Sequence, residues 1–292
     1  MSDEENHDPR NSTKVVWGAT IVEHRKIRLL IQSLLCFLLI VFCCAVPTYG
    51  DSTIDVDFPA QKERIVQKLR ENGFTEEEIN KVFSDSRIAL YPDIINRTGK
   101  GIKYLDPKFG LLSRTSIRRG QKVLKENRAV MEQIEKEYGV EKEVIIAIYR
   151  IETNLGRSRG NYPVFNSLFT MAVLENRRTQ WAEKELIDFL IICKKTGIDP
   201  LSIKGSWAGA YGICQFIPSS VMKYAVDGDG NGYIDMFNFH DAMASIANYL
   251  KQHGWEKDNV TKKKEAIFAY NHCDNYVKAV LTYAKATKRT AW

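Results

Sequence analysis

Apolar residues recur three and four positions apart through most of the chain after residue 51, and two-residue alternation is nearly absent. That spacing predicts a mainly α protein. Residues 61–72 place Ile65, Val66 and Leu69 on one face and stop at Gly73. Thr75 followed by Glu78 opens a second helix in the manner of a capping box, continuing through Ile79, Val82 and Phe83. Residues 91–112 are broken by Pro92, Gly99, Gly101, Pro107 and Gly110 and predict a loop-rich connection. Ser113 or Thr115 then caps a long basic helix that ends at Gly139. Further helices are predicted over 141–154, over 181–196 closed by Gly197, over 218–226, over 241–253 with Ile246, Tyr249 and Leu250 inward, over 261–270 and over 275–285. Residues 160–163 predict a turn. Residues 204–212, rich in Gly around Trp207, are poor helix and suit the lining of a cleft. There is no internal repeat and no low-complexity tract.

The leading segment has a different pattern. Arg25, Lys26 and Arg28 precede residues 34–46, which carry no charge, and Pro47-Thr48-Tyr49-Gly50 follow. This fits an export signal with small residues for cleavage. The polar leader before Arg25 is long for a signal, and residues 29–46 nearly suffice to span a bilayer if Gln32 and Ser33 are tolerated. Two readings therefore stand, a cleaved signal and an uncleaved N-terminal anchor. Both put the remainder outside the cytoplasm, because the basic cluster stays inside. The expected organisation is a tail and signal or anchor at 1–50, an N-terminal helical domain at 51–139 and a second domain at 140–292.

The chain has 292 residues and a formal net charge of +6. Residues 1–50 balance five basic against five acidic side chains, so the whole excess lies after Gly50. Such a surface suits an anionic partner, whether a cell-wall polymer, nucleic acid or a membrane, and does not choose among them. Cys36, Cys43 and Cys44 fall in the leading segment. Cys193, Cys214 and Cys273 remain, an odd number without metal-site spacing, which argues against a disulfide framework and predicts free thiols.

Two stretches carry chemistry. The first is Arg150-Ile-Glu-Thr-Asn-Leu-Gly-Arg157, where Glu152 shares an apolar stripe with Ile145, Ile148 and Leu155, and Gly156 offers a helix stop. A carboxyl on a core-facing stripe loses water and is driven toward its protonated form, the state a general acid needs near neutral pH. The plainer alternative is a Glu paired with Arg150 or Arg157 at the helix end. The second stretch spans residues 227–235. Asp227, Asp229, Asn231, the Tyr233 carbonyl and Asp235 fall at positions one, three, five, seven and nine of an EF-hand loop, with Gly232 at the sharp turn. Position twelve is Asn238 instead of Glu, and the next carboxylate is Asp241. The alternative here is a solvated turn without an ion.

A series of ordered motifs then resembles a known family: Arg150–Arg157, Gly160-Asn-Tyr-Pro163, Lys204-Gly-Ser-Trp-Ala-Gly-Ala210, Gln215-Phe-Ile-Pro-Ser-Ser220, Tyr224-Ala-Val-Asp227, Ala247-Asn-Tyr-Leu250, His253-Gly-Trp255 and Tyr270-Asn271. Together they are similar to the membrane-bound lytic transglycosylase B family of peptidoglycan-cleaving enzymes, over about residues 58–285. The resemblance implies a lysozyme-like catalytic core with an additional N-terminal helical domain and an EF-hand-like calcium loop at 227–241. It implies Glu152 as the single catalytic acid/base, and Ser206, Gln215, Phe216, Tyr249, Tyr270, Asn271 and Tyr276 as saccharide-binding residues. It implies a structural Ca²⁺ held by Asp227, Asp229, Asn231, Tyr233, Asp235 and Asp241, with no organic cofactor. The partners it implies are peptidoglycan glycan strands and, if the N-terminal segment is retained, a membrane; nucleic acid is not among them, and the chain is expected to be a monomer in the periplasm or tethered to the inner membrane. Three functions stay open on the residues: a lytic transglycosylase that forms 1,6-anhydromuramic acid, a hydrolytic muramidase, and a non-catalytic calcium-stabilised wall-binding protein.

Overall fold

The computed structural model describes residues 59–98 and 101–289. The candidate signal or anchor, with Cys36, Cys43 and Cys44, lies outside the described residues. No helix among the described residues is long and apolar enough to cross a membrane. Residues Val56–Trp292 form one compact unit, and position 139 falls inside it.

Among the described residues that unit holds eleven α-helices: α1 Pro59–Glu71, α2 Glu76–Phe83, α3 Arg114–Glu126, α4 Arg128–Tyr138, α5 Lys142–Thr153, α6 Val164–Val173, α7 Thr179–Thr196, α8 Pro218–Tyr224, α9 Phe239–Gln252, α10 Val260–Tyr270 and α11 Asp274–Arg289. Two short strands, β1 Tyr162–Pro163 and β2 Lys204–Gly205, pair antiparallel with Tyr162 opposite Gly205. Isolated bridges extend this ladder from Gly205 to Tyr211 and from Tyr211 to Phe216. Two-residue strands leave no alternation to read, so this ribbon is invisible to periodicity.

Local rules set most helix ends. The Thr75 capping box forms in full at the start of α2. Gly139 and Gly197 close α4 and α7 in the left-handed conformation that glycine adopts without steric cost. Ser113 caps α3 through the Ser116 N–H.

The long basic helix expected over 113–139 is two helices. Asn127 leaves helical geometry (φ −113°, ψ 30°), and its side-chain amide donates to the Val123 carbonyl at 2.9 Å, competing with the backbone ladder. Helix α5 also ends at Thr153, three residues before Gly156: Asn154, Leu155 and Gly156 are all left-handed, with φ of 54°, 59° and 79°. Leu155 therefore lies off the helical stripe assigned to it. Asn tolerates this conformation better than other side chains and serves as the cap.

Helix α5 sits at the centre. It packs against α3, α4, α9 and α11, so residues 144–150 are buried all round and not along one stripe. Helix α6, absent from the periodicity reading, is buried at all ten positions and pairs with α7. Its polar groups tie down the 87–95 connection: Asn166 Nδ2 donates to the Arg87 carbonyl (2.9 Å), and Thr170 Oγ1 accepts from the Tyr91 N–H (3.0 Å). Cys193, Cys214 and Cys273 are free thiols. Burial pushes the Cys193 and Cys214 thiols up to about 12, well above reactive range.

Candidate active site and acidic loop

Glu152 projects from the last turn of α5. Tyr276, on α11 and fully buried, donates its hydroxyl to Glu152 Oε1 at 2.6 Å. The expected competitor, an ion pair with a neighbouring arginine, is not what forms. Arg150 points away from the cleft and donates to Ser116 Oγ at 2.8 Å, and Arg157 is exposed. Glu152 keeps an edge open to the cleft, yet its surroundings strip enough water to push its pKa up to about 7, against a smaller downward pull from the Tyr276 hydroxyl. The carbonyl-rich end of α5 also disfavours a negative charge there.

Four of the residues expected to bind saccharide, Phe216, Tyr249, Tyr270 and Tyr276, form a connected aromatic wall. The Tyr270 ring stacks on Tyr276 (centroids 6.3 Å apart, 8° between planes). Phe216 and Tyr249 pack against Tyr270 at 5.7 and 4.9 Å. The wall is fixed by its polar tips: Tyr270 Oη donates to the Cys214 carbonyl (2.7 Å) and Tyr249 Oη to the Ala269 carbonyl (2.8 Å). Phe216 and Tyr249 are almost fully buried, so they support the wall and expose little ring face. Gln215 adopts a left-handed φ of 53° and donates its amide Nε2 to the Gly212 and Arg159 carbonyls. Ser206 Oγ accepts from the Ala208 and Ala210 N–H groups and shapes the glycine-rich turn.

One bond joins the acid's helix to this segment. Thr153, next to Glu152 and fully buried, donates Oγ1 to the Ile213 carbonyl at 2.9 Å and accepts from the Gly156 N–H at 3.1 Å.

Two contributors escaped the sequence reading. Tyr104, from the 91–112 connection, meets Tyr276 edge-on at 5.5 Å, and its phenol is raised to about 12 by burial and then by the nearby Glu152. Arg178 lies 5.0 Å from the centre of the Trp207 ring, while its Nη2 donates to the Ile94 and Ile95 carbonyls. Neither has a local signal, since both meet the site through long-range packing. Removing the Tyr276 hydroxyl tests the electrostatics. Because that donor stabilises the carboxylate, Tyr276→Phe will move the Glu152 ionisation upward, so the alkaline limb of the pH–activity profile will shift to higher pH. A limb that stays put or moves down would contradict this assignment.

The acidic loop closes a different site. Asp227, Asp229 and Asp241 each bring a carboxylate oxygen within 4.8 Å of the others. Asp241 is fully buried and accepts from the Gly228 and Asp235 N–H groups at 2.8 and 2.7 Å. It does not cap α9; Asn238 does, through the His240 N–H. The Gly232 N–H, with those of Gly230 and Asn231, holds the Asp227 carboxyl below the usual range. The Asn231 and Asp235 side chains accept instead from the Tyr233 and Phe237 N–H groups. Three hard oxygen donors around one point, one of them a buried carboxylate, fit a divalent cation such as Ca²⁺.

A mainly helical domain with one desolvated acid in an aromatic cleft, beside an acidic loop, defines a lysozyme-like class. The chain belongs to the transglycosylase SLT domain family, whose signature matches residues 57–264. It is 43% identical over 120 residues to the membrane-bound lytic murein transglycosylase B of Escherichia coli K12, an alignment that spans 41% of this chain and 33% of that relative. It is similar in structure to the soluble lytic transglycosylase SltB1 of Pseudomonas aeruginosa, with a TM-score of 0.73 at 27% identity, over 79% of this chain and 99% of that one. It shares its fold with the E. coli lytic transglycosylase Slt35, solved in complex with calcium, with a TM-score of 0.73 at 23% identity, over 80% of this chain and 94% of that one.

Proposed function

We propose that this chain is a peptidoglycan lytic transglycosylase that cleaves the β-1,4 bond between N-acetylmuramic acid and N-acetylglucosamine, with Glu152 as its single acid/base. The observation that carries this reading is a carboxyl raised to about 7 whose only hydrogen-bond donor among the described residues is Tyr276. Glycosidases that use water or a covalent intermediate pair two carboxyls, about 5–9.5 Å apart. Among the described residues no second carboxylate perturbs Glu152.

One group then serves both steps. Protonated Glu152 gives its proton to the leaving glycosidic oxygen. As carboxylate it takes the proton from the C6 hydroxyl of the same muramic acid, whose oxygen closes a 1,6-anhydro ring. Tyr276 holds the carboxyl in place and stabilises its charged form between the two transfers. Tyr270 offers an apolar face near the acid, with Tyr104 packed edge-on against Tyr276 as support, and Ser206, Gln215 and Asn271 offer polar edges for sugar hydroxyl and amide groups.

The acidic loop is read as a structural Ca²⁺ site in an EF-hand-like arrangement, with Asp227, Asp229 and Asp241 as its carboxylate ligands and Asn231, Tyr233 and Asp235 completing the set. In this reading the ion fixes the loop between the Gln215 segment and α9 and takes no part in proton transfer. In this reading the N-terminal segment is an export signal or anchor, and the enzyme works in the periplasm or at the inner membrane, where glycan strands are found. Mass spectrometry of fragments released from purified peptidoglycan tests the proposal: every new muramic end is expected as the 1,6-anhydro form. Ordinary reducing ends would mark a hydrolytic muramidase, and no release would mark a binding protein.

A further inference from the structure

Away from the cleft, two arginines face each other across the contact between α3 and α5. Arg150 lies two positions before Glu152, about 200° round the helix, and so points to the opposite side. Its Nε donates to Ser116 Oγ at 2.8 Å. In return Arg119, one turn further along α3, donates Nη2 to Asn154 Oδ1 at 2.7 Å, at the C-cap of α5. The two guanidinium groups are thus each anchored on the opposite segment, near enough for the charge of Arg119 to be felt at Arg150.

The charge balance of this pair is incomplete. Arg150 is only 6% exposed, and the Arg119 Nε is buried with no hydrogen-bond partner. Among the described residues neither makes an ion pair, and the one acid on α3, Glu126, is taken by Lys122. Arginine does not shed its proton in proteins, so it cannot escape burial by becoming neutral. Buried charges are ordinarily paired, because an isolated one is costly to desolvate. The C-terminal end of α5 supplies about half a negative charge, against two full positive ones. The Gly110 carbonyl stands 3.5 Å from Arg150 Nη2, at the outer edge of hydrogen bonding. The rest of α3 deepens the excess, with Arg114, Arg118, Lys122 and Lys125 against Glu126 alone.

We propose that the α3–α5 junction is an oxyanion-binding site in which Arg119 and Arg150 together take a carboxylate or phosphate group. The planar fork of arginine suits two-point recognition of such groups, and Asn154 and Ser116 hold the two forks in place. The site is distinct from the cleft and does not depend on the activity proposed above. Its ligand is either a free inorganic anion or a carboxylate displayed by an acidic peptide.

Thermal melting of the full chain at constant ionic strength distinguishes these sources. Inorganic phosphate and a short oligoglutamate peptide would each be titrated against chloride, with wild type, Arg119→Gln and, as a control, Lys122→Gln, which alters an exposed charge on the same helix. The wild-type midpoint is expected to rise with the oxyanion, the response of Arg119→Gln to be at least tenfold weaker in concentration dependence, and that of Lys122→Gln to match wild type. A response to phosphate but not to the peptide assigns the site to a free anion; a response to the peptide assigns it to a peptide carboxylate. Equal responses in wild type and Arg119→Gln, or no response to either probe, would overturn the proposal. If Arg119→Gln fails to fold, Arg119→Lys keeps the charge without the fork and is expected to weaken the response in the same direction.

Discussion

Glu152→Gln will lower the rate of peptidoglycan cleavage by at least two to four orders of magnitude, the usual worth of general acid–base help. The amide keeps the size of the side chain and can accept from Tyr276, but it can neither give nor take a proton. The same substitution has a pH signature in stability. Burial raises the Glu152 pKa from an ordinary 4.5 to about 7. Below about 4.5 the group is neutral in both folded and unfolded chains, and no penalty exists. As pH rises the unfolded chain ionises first, so the wild-type fold loses stability between about 4.5 and 7 and stays lower above that. The gap of about 2.5 units corresponds to at most about 3.4 kcal/mol, less whatever solvent at the open edge returns. Glu152→Gln carries no such cost. It will therefore melt near wild type at pH 4 and above wild type at pH 8, while activity of the wild type falls as pH rises through about 7. An active Gln variant would remove the one-acid mechanism. A pH-independent difference in melting would mean that Glu152 is less desolvated than its surroundings indicate.

Calcium will raise the melting midpoint, magnesium will raise it little, and Asp227→Ala will respond to neither. The carboxylates of Asp227, Asp229 and Asp241 crowd within 4.8 Å, a repulsion that a divalent cation offsets. Magnesium demands near-ideal octahedral geometry and gives up water reluctantly, whereas Ca²⁺ accepts an irregular oxygen cage. An ion that binds the folded state alone adds RT ln(1 + [L]/Kd), about 2.7 kcal/mol at a hundredfold excess over Kd. In a domain of this size that is roughly 5–10 °C. Catalytic constants measured at one temperature well below melting should be far less sensitive to chelator than the midpoint is. A midpoint indifferent to Ca²⁺ and chelator alike would leave the loop as a turn held by its own backbone bonds.

Much of the helical framework could be read in the sequence because short-range physics sets it. The Thr75 capping box, the stops at Gly139 and Gly197 and the apolar faces of α1, α7 and α9 all depend on residues within a turn or two. Where two local rules compete, the pattern misleads. The run from 114 to 138 has continuous helical spacing, yet the Asn127 side chain breaks it by bonding to its own backbone. Helix α6 was illegible for the opposite reason. All ten of its positions are buried, so no polar face marks a period.

The chain's local order alone determined that Glu152 would sit on an apolar helix near its end, that the 227–235 run would present alternating oxygen side chains, and that the fold would be mainly α. Only the tertiary structure decided what surrounds them. Helix α11 brings Tyr276 to Glu152, the 91–112 connection brings Tyr104, and α9 carries Asp241 under the loop to meet Asp227 and Asp229. It also turned Arg150 away from the acid that the alternative reading paired it with and bound it to Ser116 on α3. The reason is physical: a helical period reports which face of a segment is dry, whereas pKa, ion binding and charge balance depend on which distant segments pack against that face.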